Sequence, residues 1–270
     1  MMSQRFTRRR FIGLGLAGAA ATALPSLPGL AFGAEEGSRV ARLRARPGKP
    51  TRPAQSGQHS LGLAKGRDGI LSVPPVDKPE TPVPLILMLH GARGRGGLEV
   101  YCEEAAKSGI AVVVPDSRGR TWDLMLGGYG PDIEFIDRVL EHTFASVAVD
   151  PRHIAVAGFS DGGSYALSIG LPNGDLFTHV IAYSPGYMVP PSRQGKPSIF
   201  VTHGTEDSIL RIDTSSRRMV PQLKRWGYDV EYKEFKGDHY MPPDLVKESL
   251  RWFAEGATSG RAMARPLSSC

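Results

Sequence analysis

The segment His153-Ile154-Ala155-Val156-Ala157-Gly158-Phe159-Ser160-Asp161-Gly162-Gly163 decides how the rest of the chain is read. Its first half is an aliphatic run without polar alternation, the pattern of a strand covered on both faces. Its second half is a G-x-S-x-G pentapeptide that opens a helical stretch over 161–170. Glycines two before and two after a serine permit a sharp strand-to-helix turn that lifts the hydroxyl into a crevice. The pentapeptide alone is a weak signal, but here it stands where strand gives way to helix, which is the context the turn requires.

Working outward, short aliphatic runs alternate with longer amphipathic stretches from Leu85 onward. Strands are expected at Leu85–Leu89, Ile110–Val114, His153–Ala157, His179–Tyr183, Ser198–Thr202 and Val230–Phe235. Helices are expected over 97–108, 131–146, 161–170, 214–226 and 243–255, with Asp132 and Asp213 placed to cap the second and fourth. Residues 59–73 suit short antiparallel edge strands. Such alternation builds an α/β domain, a mostly parallel sheet flanked by helices. Without an internal repeat or a second compositional block, one domain over 58–256 is expected, with a loose tail over 257–270.

Parallel strands end at one edge of a sheet, so the residues just past those ends converge. Ser160 follows one strand, Asp207 follows a second in His203-Gly204-Thr205-Glu206-Asp207, and His239 follows the last in Lys236-Gly237-Asp238-His239. A serine hydroxyl is a poor nucleophile near neutral pH and needs a base that is itself held by an acid. The chain order points to Ser160 as nucleophile, His239 as base and Asp207 as orienting acid. Asp238 adjoins the histidine, so its side chain diverges from the ring. An oxyanion would need two N–H donors. The backbone of Asp161 at the helix start and that of Ala92 in His90-Gly91-Ala92-Arg93-Gly94 are the candidates. His90 and His203 read as residues that shape loops. Trp122, Tyr129 and Tyr187 are candidate substrate contacts. No metal is expected, because His203, Asp207 and His239 fit the triad-bearing loops more economically than a zinc site.

These pieces together resemble the α/β-hydrolase superfamily, and within it the compact serine esterases of the phospholipase/carboxylesterase and polyhydroxybutyrate-depolymerase-like groups. The resemblance spans residues 85–255 and rests on His90-Gly91, Gly158 to Gly163, His203 to Asp207 and Gly237-Asp238-His239. It implies the α/β-hydrolase fold and cofactor-free hydrolysis of a carboxylic ester through an acyl-enzyme. Asp161 departs from the Gln or Ala of many relatives, and its carboxylate would repel anionic substrates. Peptidase or acyltransferase chemistry on the same scaffold stays open, because fold and triad do not determine the acyl acceptor. So does a catalytically silent binding module. Relatives often insert a lid after the strand at His179–Tyr183, yet only fourteen residues, Ser184 to Pro197, precede the next strand. The expectation is therefore no large cap domain, an open crevice, and small-molecule or polymeric substrates of short-chain or polyester type.

The N-terminus reads as an address. Thr7-Arg8-Arg9-Arg10-Phe11-Ile12, the mild apolar run Gly13 to Ala23 and the small residues around Ala31-Phe32-Gly33 resemble a bacterial twin-arginine signal over 1–33. That implies export of a folded protein to the periplasm or beyond, with membrane contact only during export. Residues 34–57, rich in Arg, Pro and Gly, read as a flexible linker. The net charge is +6, but residues 1–33 carry +4 and residues 34–69 carry +5, which leaves −3 over 70–270. A basic globular face for nucleic acid is excluded on that distribution. The two cysteines, Cys102 and Cys270, match neither a metal cluster nor a disulfide framework, and Cys102 reads as a core residue.

Overall fold

The computed structural model of the protein describes residues 41–92, 94–126 and 128–262. The aliphatic runs become a single eight-stranded sheet. Its strands are β1 (Gly57–Ser60), β2 (Gly69–Val73), β3 (Val83–Leu89), β4 (Ala111–Pro115), β5 (Val149–Phe159), β6 (His179–Tyr183), β7 (Ser198–Gly204) and β8 (Val230–Phe235). The helices are α1 (Leu98–Lys107), α2 (Pro131–Ser146), α3 (Asp161–Gly170), α4 (Ser216–Arg225) and α5 (Pro243–Ala262). Strand order is β1-β2-β4-β3-β5-β6-β7-β8. β1, β2 and β4 pair antiparallel, and the remaining pairs are parallel. This is the α/β-hydrolase arrangement, with helices on both faces of a mostly parallel sheet.

Successive residues of one strand explain why both faces are covered. Leu85, Leu87 and Leu89 of β3 join Ile136 of α2, Tyr165 of α3 and Leu223 of α4 in one core cluster. Ile86 and Met88, pointing the other way, join Tyr101 and Cys102 of α1 and Leu250 and Phe253 of α5 in the second. Each such side chain contributes roughly 1.5–3 kcal/mol on burial. Cys102 is fully buried, and burial pushes its thiol up to about 12. The Ser184 to Pro197 connection contains no helix, so no helical cap is inserted there.

Helix entry differs from expectation at two places. Gly130 takes the N-cap position of α2 without a side-chain bond. The carboxylate that does the capping belongs to Asp123, whose Oδ2 accepts the N–H groups of Gly130 at 2.8 Å and Asp132 at 2.9 Å. Asp132 instead accepts from the N–H groups of Arg118 and Asp123, at 2.5 and 2.6 Å, and burial raises its carboxyl to about 6. The two acids thus staple the 118–130 loop from both ends. Asp213 lies in a 3-10 turn before α4 and pairs with Arg217 at 2.7 Å rather than capping the helix.

The flexible linker expected over 34–57 is corrected from Ala41 onward. Ala41, Leu43 and Ala45 are at most 5% exposed. Asn173 grips this strap as a strand neighbour would, accepting from Leu43 N–H at 2.9 Å and donating to the Ala41 carbonyl at 2.8 Å. Asp137 accepts from Arg44 and Ala45 N–H, and Asp175 pairs with Arg42 and Arg46. Farther on, Thr51 and Arg52 N–H reach the Ala145 carbonyl. At the other end, α5 continues to Ala262, past the expected boundary at 255. Residues 1–33, expected to be a signal, and residues 263–270 of the expected tail lie outside the described residues.

Candidate active site

Ser160 leaves β5 with φ 57° and ψ −120°, a left-handed φ for a residue with a side chain. The flanking glycines make that turn sterically feasible. A Cβ on Gly158 would lie 2.2 Å from the backbone of Gly162, and one on Gly162 would lie 2.1 Å from the Leu89 carbonyl oxygen. Ser160 N–H donates to the Tyr183 carbonyl at 2.9 Å, and Ser164 N–H to the Ser160 carbonyl at 3.0 Å, which fastens the turn to β6 and to α3.

The acid sits in the loop after β7. Asp207 Oδ1 accepts from Ile209 N–H at 3.0 Å and Leu210 N–H at 2.7 Å, and its side chain is fully buried. Oδ2 lies 2.6 Å from His239 Nδ1. A carboxylate only accepts, so Nδ1 carries the proton and Nε2 is free to accept in turn. Nε2 stands 2.8 Å from Ser160 Oγ, and the imidazole leans on the Phe159 ring with centroids 4.8 Å apart. The structure thus brings Ser160, His239 and Asp207 into one hydrogen-bonded line. Such a line can take the serine proton during attack and stabilise the resulting imidazolium beside a buried carboxylate. Asp238 turns away to accept from Ser208 N–H and Oγ at 2.8 and 3.0 Å, bonds that hold its carboxyl below the usual range. Glu206 is exposed.

Asp161 is the first residue of α3, so its N–H has no partner within the helix. Its carboxylate accepts from Thr121 Oγ1 at 2.7 Å, a contact across forty residues that sequence reading did not supply. Ala92 lies in the turn after β3, closed by Gly94 N–H to the Gly91 carbonyl at 3.1 Å. It lines the same open cleft as Ser160 and His239, about 530 Å³ in volume. Phe159, Ile209, Tyr240 and Met241 also line it. None of these four was singled out from sequence, although Ile209 and Tyr240 lie within two residues of Asp207 and His239. A larger groove of about 810 Å³, lined by Arg42, Arg118, Phe135 and Arg138 beside the strap, contains no nucleophile–base pair.

The three aromatic candidates are corrected, because none lines this cleft. Trp122 is fully buried, stacks on Tyr165 with centroids 5.2 Å apart, and donates to the His90 carbonyl at 2.8 Å. Tyr129 places its hydroxyl between the Val189 and Ser168 carbonyls, at 3.0 and 3.3 Å. Tyr187 is half-buried and donates to Met125 Sδ; burial first, then the Asp161 charge, raises its phenol. His90 is buried, with Nδ1 on the Gly91 carbonyl and Nε2 accepting Ser117 N–H, and so holds loops together.

A family model described as "Putative esterase" matches residues 65–227. The chain belongs to this esterase family. Feruloyl esterase C of Emericella nidulans is 28% identical over 203 residues, covering 72% of each chain. Among solved structures, S-formylglutathione hydrolase from Staphylococcus aureus superposes with a TM-score of 0.61 at 17% identity, covering 76% of this chain and 99% of that one. A thermophilic esterase from Thermogutta terrifontis, solved with butyrate bound, gives 0.56 at 20% identity over 84% and 100%. The esterase therefore has an α/β-hydrolase fold, and its reaction is the hydrolysis of carboxylic esters.

Proposed function

We propose that the esterase works through an acyl-enzyme on Ser160, with His239 as general base and then general acid, and Asp207 as the acid that orients the imidazole. The observation that carries this reading is the Ser160–His239–Asp207 line, with spacings of 2.8 and 2.6 Å, at the wall of an open cleft. Ser160 Oγ attacks the ester carbonyl while His239 Nε2 takes its proton. The N–H groups of Asp161 and Ala92 stabilise the oxyanion, and the imidazolium returns the proton to the leaving alcohol. Water activated by the same imidazole then releases the acid.

The substrates we propose are small or polymeric esters with short acyl groups. A cleft without a cap offers little wall to a long chain, whose binding scales with roughly 0.8 kcal/mol per buried methylene. A second reading, feruloyl-type aromatic acyl groups, is favoured by Phe159, Tyr240 and Met241 around the cleft and by the feruloyl esterase relative. The test is a rate series on p-nitrophenyl acetate, butyrate, octanoate and palmitate beside methyl ferulate, with Ser160→Ala as control. Rates should peak at acetate or butyrate without an interfacial jump. The control should lose about 10⁴-fold or more. A maximum at palmitate would refute the open-site reading, and an active Ser160→Ala would refute the nucleophile.

We further propose that residues 1–33 are a twin-arginine-type signal and that the enzyme acts in the periplasm or outside the cell. Arg8-Arg9 ahead of a weakly apolar run supports this. Changing both arginines to Lys should strand precursor in the cytoplasm on fractionation, and unchanged export would exclude that route.

A further inference from the structure

His203 is the next-to-last residue of β7, just ahead of the loop that carries Asp207, and it is fully buried. Its Nε2 lies 2.7 Å from the Leu210 carbonyl oxygen and 3.2 Å from Asp207 Oδ2. Its Nδ1 lies 2.7 Å from Ser216 Oγ. The Leu210 carbonyl can only accept, so Nε2 carries the proton and donates to it, with Asp207 Oδ2 close beside, and Nδ1 of the neutral ring accepts the Ser216 hydroxyl. The carbonyl on the Nε2 side fixes the tautomer, and the Ser216 hydroxyl adapts to it. Burial, the largest influence, depresses the ring's basicity, so this histidine is held neutral.

We propose that His203 is a positioning residue for ester hydrolysis, which fixes the Asp207 carboxylate toward His239 by clamping the Leu210 peptide that holds one carboxylate oxygen and by packing against the other. The inference rests on the triad reading above and adds to it a fourth side chain. The geometry forms a closed frame. Leu210 N–H holds Asp207 Oδ1 while the Leu210 carbonyl holds His203, and His203 Nε2 stands 3.2 Å from the Oδ2 that His239 bonds. Rotating the carboxylate away from His239 would break contacts on both of its oxygens. Neutrality is essential to this role. A cation at the same place would draw on the carboxylate's charge, which must instead stabilise the imidazolium that His239 becomes.

The test compares side chains by where they place a donor. A Gln amide nitrogen falls near the histidine Nε2 position and can reach the Leu210 carbonyl, whereas an Asn amide nitrogen falls near Nδ1 and cannot. Steady-state kinetics on p-nitrophenyl acetate should show His203→Asn and His203→Phe losing about 10- to 100-fold in kcat, with KM within about twofold. His203→Gln should recover most of that loss. In an Asp207→Asn background, His203→Phe should cost less than about threefold, because the carboxylate it acts through is gone. Circular dichroism establishes which variants are folded, and should His203→Phe not fold, the Gln and Asn pair carries the comparison in both backgrounds. An Asn variant as active as the Gln variant, or an equal cost in both backgrounds, would overturn the proposal. Full activity in Asp207→Asn alone would instead sink the triad reading itself.

Discussion

Asp207 and Asp238 reach the same corner of the molecule and meet opposite fates. Asp238 adjoins His239 in sequence, yet its carboxylate faces solvent and is tied to Ser208. Asp207, thirty-two residues away, is buried and takes His239 Nδ1 on one oxygen and two backbone N–H groups on the other. The difference teaches that a supporting acid is selected by its donors and its burial, not by nearness along the chain. A buried carboxylate bound by donors on both oxygens keeps its direction.

The largest effect should come from breaking that contrast at its buried end. Asp207→Asn should lower kcat/KM by about 10³- to 10⁴-fold, because an amide in that place favours the wrong imidazole tautomer. Asp238→Asn should stay within about threefold on the same neutral ester, and an inverted order would move the acid to Asp238. A third carboxylate sharpens the comparison with a smaller effect. Asp161 lies beside the nucleophile, its carboxylate accepting from the Thr121 hydroxyl. Two unit charges about 6 Å apart near a surface interact by roughly 1–3 kcal/mol. Asp161→Asn should therefore raise the rate on p-nitrophenyl hemisuccinate relative to p-nitrophenyl acetate by about three- to tenfold at low ionic strength. The gain should shrink in about 0.5 M salt. A ratio unmoved by the substitution would show that this charge does not face the substrate.

How much of this was legible in the sequence depended on whether the deciding contact was local. The turn at Ser160 was legible because its demands fall within five residues, two of them glycines against which a Cβ would collide. The strand at His179–Tyr183 was legible as a largely apolar run, and that at Val230–Phe235 as a short segment with Val, Tyr and Phe between Gly227 and Gly237. The strap was not. Ala41-Arg42-Leu43-Arg44-Ala45-Arg46 is a strict apolar and basic alternation, but its Arg and Pro content reads as disorder when composition is weighed before period. Its partners, Asn173, Asp137 and Asp175, lie 92 to 133 residues away. Trp122 failed for a related reason. An aromatic in a loop near a crevice reads the same whether it faces the substrate or the core, and only Tyr165 and the His90 carbonyl turn it inward.

The left-handed backbone at Ser160 also bears on endurance. A non-glycine residue in such a conformation costs roughly 1–3 kcal/mol, and glycine escapes most of that at an entropic penalty of roughly 0.5–1 kcal/mol. Ser160→Gly should thus melt about 2–4 °C above the parent, whereas Ser160→Ala, which keeps the Cβ, should not. Identical melts for the two would show the turn to be at ease. If the glycine variant wins, a search for tougher versions of this enzyme scored on heat alone would be drawn toward deleting its nucleophile, so any such campaign must screen for turnover in the same round.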